Sequence, residues 1–249
     1  LIKASGYLFL GGINIVEVSI VLPAYNEAKR IEDTVERTAT ALREISSSFE
    51  IIIAEDGSRD GTDRICESLA RKYDFVKHLH SEKRQGRGRA LDRAFRSSKG
   101  DILGYIDVDL ATDMKHLFEL IQSIRDGNDF ATGSRMLPQS NVKRPFKRGF
   151  ASKGFNFLTR LMLGSKLYDH QCGFKSFRRE ALFALLDNIK DTHWFWDTEL
   201  FVRAQRGGYK VKEFPVEWKH GGTTKVNLVK DVFGMGSQIF RLWYEFLWD

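Results

Sequence analysis

The chain has 249 residues, 42% hydrophobic and 29% charged, which suits one large α/β domain with a sizeable core and excludes a disordered chain. A formal net charge of +6 and a pI near 9.2 point to an anionic partner, whether nucleic acid, anionic lipid or a phosphorylated substrate. Two distant cysteines, Cys66 and Cys172, exclude a disulfide framework and fit a reducing, cytoplasmic setting. No Cys/His cluster has zinc-site spacing, and the uncharged stretch Ala4–Val16, 13 residues long, is too short to span a bilayer.

In chain order, short β-branched runs at Val18–Leu22, Glu50–Glu55, Phe75–His80 and Ile102–Asp107 read as buried strands of a mostly parallel sheet. Helical stripes lie between and after them. Ile31, Val35, Ala39, Leu42 and Ile45 share one face; Ile65, Leu69 and Tyr73 follow an Asp60-Gly61-Thr62 start signal; two further stripes run from Ala90 to Ser98 and from Met114 to Ile124. Repeated βα units predict a doubly wound sheet with helices on both faces, and a ligand crevice at the carboxyl ends of the strands. The second half is less regular. Asp129–Gly133 and Lys210–Trp218 read as strands, Phe150–Met162 and Asp197–Gly207 as helices, and Asn227–Trp248 as a long amphipathic helix. The chain therefore reads as an N-terminal extension (1–16), one α/β domain (17–226) and a C-terminal amphipathic appendage (227–249).

Three loops carry candidate chemistry. Asp107-Val108-Asp109 closes a strand, where two carboxylates at i and i+2 can turn into the crevice and offer hard oxygen ligands to Mg2+ or Mn2+. Glu55-Asp56-Gly57-Ser58 follows the second strand, where acidic groups can accept hydrogen bonds from a base or ribose; the same residues serve a turn and an N-cap, and both roles can hold together. Gly86-Arg87-Gly88-Arg89 lacks the third glycine of a dinucleotide fingerprint. Phosphate contact at a helix start and a plain surface loop stand level there. His78 and His80 alternate on a strand, where a structural role is expected, and Cys172 in the DHQCGFK stretch reads as a packed small residue. The basic run Lys143–Arg148, interleaved with Pro145, Phe146 and Phe150, suits a solvated face, an anionic lipid or a phosphate.

Four motifs in order resemble the family 2 glycosyltransferases, and within them the dolichyl-phosphate sugar synthases. They are PAYNE (Pro23–Glu27), EDGSRDGT (Glu55–Thr62), DVD (Asp107–Asp109) and GSR (Gly133–Arg135). The resemblance runs from Val18 to about Lys225 and implies a GT-A, Rossmann-like fold. It assigns Pro23, Ala24, Tyr25, Glu27, Glu55, Asp56, Gly57, Arg87, Asp107, Val108 and Asp109 to the nucleotide sugar, with Asp107 and Asp109 on the metal. Arg135, Arg148, Ser152 and Lys219 fall on the side of the acceptor phosphate, and Asp107, Asp109 and Arg135 are the implied catalytic residues. Departures are Glu55 for the usual Asp, Ala111 where mannosyl enzymes carry a metal-ligating Gln, and Lys219 near an expected Arg.

The implied activity is inverting transfer of a hexose from UDP-glucose, or alternatively GDP-mannose, to a polyprenyl phosphate. The DLATD, DHQCGFK and WFWDTEL runs favour UDP-glucose. The setting expected is peripheral, on the cytoplasmic face of a membrane, with no nucleic-acid partner. The C-terminal helix, with Trp243, Tyr244, Phe246 and Trp248 beside Arg241, suits a membrane interface or packing against the domain or a second subunit. Two rival readings remain. One is a family 2 enzyme acting on a sugar hydroxyl, for which Asp197 or Glu199 would serve as base; the other is a non-catalytic nucleotide-binding module.

Overall fold

The computed structural model describes residues 16–143, 146–219 and 228–248, and of 146–151 and 228–233 the backbone alone. The expected extension therefore lies outside the described residues except for Val16, as do Arg144, Pro145 and the side chain of Arg148.

The first half follows the expected alternation: β1 (Val18–Ala24), α1 (Ile31–Ile45), β2 (Phe49–Glu55), α2 (Thr62–Lys72), β3 (Val76–Leu79), α3 (Arg87–Ser97), β4 (Ile102–Ile106) and, after a 3-10 turn, α4 (Leu117–Arg125). Then come β5 (Phe130–Ser134), β6 (Asn141–Lys143), α5 (Phe146–Leu163), β7 (Phe174–Arg178), α6 (Arg179–Leu186), α7 (Trp196–Arg206), β8 (Val211–Pro215), β9 (Glu217–Lys219) and α8 (Leu228–Glu245). Seven strands form one sheet in the order β3-β2-β1-β4-β7-β5-β8. All neighbours are parallel except β7, which runs antiparallel to both β4 and β5.

The period of two along each strand sorts the core into two layers. On one face Val18, Ile20 and Leu22 of β1 and Ile51 and Ile53 of β2 meet Val35, Leu42, Leu69 and Leu120 of α1, α2 and α4. On the other, Val21 and Ile52 meet Leu91, Phe95, Leu182 and Phe201 of α3, α6 and α7. Because β1, β2 and β4 are buried on both faces, they read as continuous apolar runs. A third cluster lies between α5, α7 and α8, where Phe155, Leu163, Val202, Ile239 and Leu242 are buried together. The other side of α8 leaves Phe240 and Tyr244 exposed, as are Leu247 and Trp248 just after it.

Two elements differ from the sequence reading. The run Lys210–Trp218 is not one strand: β8 completes the main sheet, and beyond Val216 the chain moves to a separate two-stranded parallel pair, β9 with β6. The strand β7 and the helix α6 occupy a segment, 174–186, to which the sequence reading gave no element.

Candidate active site

The carboxyl ends of β1, β2 and β4 open at one edge of the sheet, and the loops after β1 and β2 are tied to each other by hydrogen bonds from backbone amides to side chains. The amide of Asn26 donates to Ser58 Oγ at 2.9 Å, and that of Glu27 to Thr62 Oγ1 at 2.8 Å. In return Arg59 N–H donates to Asn26 Oδ1 at 2.8 Å. Thus the PAYNE and EDGSRDGT segments form one unit. Pro23 and Ala24 end β1, and the Tyr25 ring carries the Arg84 guanidinium 4.1 Å above its centre.

Glu55 is fully buried; Ser58 N–H donates to its Oε1 at 2.5 Å and His80 Nδ1 lies 2.6 Å from its Oε2. Asp56 is also buried, and its two oxygens accept the amides of Gln85 and Gly86 at 2.8 and 2.9 Å. It thereby fixes the loop that delivers Arg87. Gly57 has φ of +71°, and a Cβ there would come within 2.6 Å of the Arg84 backbone nitrogen, so only glycine fits.

At the end of β4 the chain turns sharply. Leu110 N–H donates to the Asp107 carbonyl at 3.0 Å, and Leu110 takes a φ of +45°, a conformation rare for a branched side chain. The turn sends Asp107 and Asp109 into the crevice, while Val108 points into the core and its carbonyl accepts Thr34 Oγ1 at 2.7 Å. Burial, and then the negative charge of Asp107, raise the Asp109 carboxyl above its ordinary range, partly offset by the Ala111 amide that it accepts. Two carboxylates crowded in this way favour an added cation.

Arg87, from the N-terminus of α3, ion-pairs with Asp107 and stacks over the rings of Tyr105 and Trp194 at 4.9 and 5.6 Å. Burial opposes its charge, but Asp107, Tyr105 and Asp197 outweigh burial and hold the guanidinium ionised. Gly173, just before β7, accepts the Asp107 amide at 3.0 Å, and a Cβ on it would overlap the Asp107 carboxylate.

The other wall comes from the second half of the chain. Arg135 forms a bidentate pair with the fully buried Asp169, at 2.7 and 2.8 Å. For Asp169, burial works against the charge, yet Arg135 overrides it and holds the carboxyl well below its usual range. The pair uses two of the five N–H donors of a guanidinium. Arg135 lines a small cavity with Asp107, Asp109, Gln171 and Trp218. Ser152 donates to Gln171 Oε1 at 3.1 Å, which places it behind that wall. Lys219 is exposed on β9, its amide donating to the Ala111 carbonyl at 2.8 Å. Arg148 lies outside the described side chains.

Sequence reasoning missed Asp169, Gln171, Gly173 and Lys175. All lie in the DHQCGFK stretch, which was read for Cys172 and, as a whole, for the donor sugar. That cysteine is buried, and burial pushes its thiol up to about 12, as befits a packed residue. Lys175 is fully buried; its Nζ lies 3.2 Å from Asp197 and donates to the carbonyls of His170 (3.0 Å) and Cys172, shaping the loop from within. Asp197 also accepts the Tyr105 hydroxyl at 2.6 Å, and Glu199 is fully buried between Arg203 and Arg241. Both candidate bases are thus committed to buried ion pairs, and neither lines the cavity.

A doubly wound sheet with paired carboxylates at the end of its fourth strand is the architecture of the GT-A glycosyltransferases. The chain belongs to glycosyl transferase family 2, whose model matches residues 19–186. It is 55% identical over 233 residues to glycosyltransferase AglD of Haloferax volcanii, covering 92% of this chain but 37% of that protein. It is 33% identical over 225 residues to the dolichyl-phosphate beta-glucosyltransferase ALG5C of Trichomonas vaginalis, with 86% and 67% of the two chains covered. The human dolichyl-phosphate beta-glucosyltransferase is 30% identical over 217 residues, with 81% and 67% covered. Among solved structures, glucosyl-3-phosphoglycerate synthase from Mycobacterium tuberculosis in complex with Mn2+ and UDP-glucose superposes with a TM-score of 0.63 at 18% identity, over 90% of this chain and 77% of that one. The architecture is shared, as the motifs imply.

Proposed function

We propose that the chain transfers glucose, with inversion, from UDP-glucose to a polyprenyl phosphate. The observation that carries this reading is that the Asp107/Asp109 pair and Arg135 share one cavity, so groups suited to a donor diphosphate and to an anionic acceptor face each other. The names of the eukaryotic relatives, which transfer glucose to dolichyl phosphate, support the sugar and the acceptor class.

Asp107 and Asp109 would hold a Mg2+ or Mn2+ ion, and such an ion supplies positive charge to a departing diphosphate. The crowding that raises Asp109, and the lack of a Cβ at Gly173, fit that use. The chain's own residues account for the rest. Tyr25 and Glu55 border the donor side. Arg87 adds a permanent positive charge beside Asp107. Arg135, anchored by Asp169, still has N–H donors to orient the acceptor phosphate. An oxygen of that phosphate forms the new bond to the anomeric carbon as the bond to the nucleoside diphosphate breaks, the electron pair leaving with the diphosphate. A phosphate monoester is already mostly ionised at neutral pH, its second pKa being about 6. No general base is therefore needed, which agrees with the ion-paired state of Asp197 and Glu199 and weighs against the hydroxyl-acceptor reading.

Among the described residues no helix is long and apolar enough to cross a membrane. The exposed Phe240 and Tyr244 of α8, with Leu247 and Trp248 just beyond it, suit attachment at the interface of the membrane that carries the acceptor. Flotation with anionic vesicles should weaken when Phe240, Tyr244 and Trp248 are changed to Ser, and equal flotation removes α8 from that role. The principal test offers labelled UDP-glucose and GDP-mannose with a polyprenyl phosphate and follows label into organic solvent. Transfer from UDP-glucose is expected. Transfer from GDP-mannose alone reassigns the donor, and extraction from neither removes the lipid acceptor.

A further inference from the structure

On strand β3 and the residue after it, His78 and His80 are two residues apart and so share one face of the sheet. Parallel pairing of β2 with β3 sets Ile53 level with His78 and Ala54 level with Leu79, which brings Glu55 alongside His80. The three side chains converge, with one ligand atom from each within 4.8 Å of the others. Glu55 is fully buried at the floor, and His80 Nδ1 stands 2.6 Å from its Oε2. His78 Nε2 is buried and has no hydrogen-bond partner, a condition that native interiors rarely tolerate.

We propose that Glu55, His78 and His80 form a binding site for a late first-row divalent cation of the zinc class, separate from the Asp107/Asp109 pair. Two imidazole nitrogens and one carboxylate oxygen are the three-ligand set of a tetrahedral ion with an open fourth position. That donor set selects Zn2+, Co2+ or Ni2+ over Mg2+, which takes oxygens. The orphaned nitrogen of His78 gains a partner, and His80 exchanges its hydrogen bond to Glu55 for a shared metal. Asp63 and Glu67 of α2 add negative potential at His78. The nearby cation, Arg93, donates to the backbone carbonyls of His80, Glu55 and Leu79 rather than to the carboxylate. The zinc pattern was invisible in the sequence because the third ligand comes from the neighbouring strand.

Occupation of the site has a consequence that rests on the donor reading given above. Glu55 is among the residues assigned to the nucleoside, so the cation and the nucleoside would compete for its carboxylate. Such a cation would act as an inhibitor of donor binding.

The test uses the metal-free protein titrated with Co2+, read by its visible ligand-field bands, and with Zn2+ by calorimetry in excess Mg2+. One ion per chain is expected in a nitrogen-containing environment. His78→Ala and His80→Ala should each weaken binding by about a hundredfold, at least the loss caused by changing an outer-shell partner, while the Asp107→Asn/Asp109→Asn double variant binds as the parent does. His78→Gln, which keeps a polar group in place, guards against loss of fold, which circular dichroism checks. Binding that survives both histidine changes, or that disappears with the two aspartates, overturns the site. Uridine, which has no phosphate to chelate the ion, should weaken Zn2+ binding. Zn2+ bound through the histidines but indifferent to uridine leaves the site standing and overturns the donor role of Glu55.

Discussion

The two walls of the crevice are held in opposite ways. The donor wall is made of loops that follow parallel strands, pinned by backbone amides to Ser58, Thr62 and Asp56, and its paired carboxylates, Asp107 and Asp109, stay partly open to solvent. The acceptor wall is made by a strand that runs against the sheet, and buried ion pairs, Arg135 with Asp169 and Lys175 with Asp197, hold it. The difference teaches that chemistry and stability are separable on one side and joined on the other.

The largest expected effect is on the joined side. Asp169→Ala leaves the Arg135 guanidinium buried without its partner, which costs about 3–5 kcal/mol of stability. Denaturant unfolding should show that loss, and an Asp169→Ala/Arg135→Met double variant should recover part of it. A change below 1 kcal/mol would break the comparison.

Next comes His170, fully buried beside that pair. Its Nδ1 faces Asn156 Oδ1 at 2.8 Å and its Nε2 faces Ser165 Oγ at 2.7 Å. Burial drives its pKa down from 6.5 to about 4. The folded state therefore prefers the neutral ring, and the unfolded chain binds the extra proton. Stability is fully present above pH 6.5, falls as pH drops from there to about 4, and then levels, with a total loss of ~3 kcal/mol. Unfolding curves across that window should show the fall, and His170→Gln should flatten it; an unchanged profile in the variant assigns the fall elsewhere.

The smallest effect on stability belongs to the donor wall. Asp109 is raised by burial and by Asp107, so its charge is a burden in the folded state at neutral pH. Asp109→Asn should leave stability unchanged or slightly higher while transfer falls by roughly a hundredfold or more, since several kcal/mol of charge stabilisation is at stake. Loss of stability alongside activity would show that the donor wall, too, is held by its charges.

The same contrast explains what was legible in the sequence. The donor wall follows strands buried on both faces, which announce themselves as runs such as VSIVL and EIIIAE, and its residues sit immediately after them. The acceptor wall depends on β7, FKSFR, where a lysine and a serine occupy fully buried positions. Nothing local reveals that Lys175 is neutralised by Asp197, or that Asp169 waits for Arg135, because each partner arrives from a distant element. The split between β8 and β9 was hidden for a similar reason: Val216, at the break, is as apolar and as buried as a strand residue. Asp56 illustrates the converse. Its place in the EDGSRDGT element was plain, but that its two oxygens accept the Gln85 and Gly86 amides was not.

The placement of β7 also dictates an order of assembly. Strands β3, β2, β1 and β4 can pair once residue 106 has left the ribosome, but the outer edge of β4 is matched only by β7, and β5, with β8 beyond it, joins the sheet only through β7. Until Arg178 leaves the ribosome, a half-built sheet presents an open row of amides and carbonyls to its surroundings. The nascent protein thus passes through a stage in which the donor half is shaped and the acceptor half does not yet exist, and a single late strand ends it.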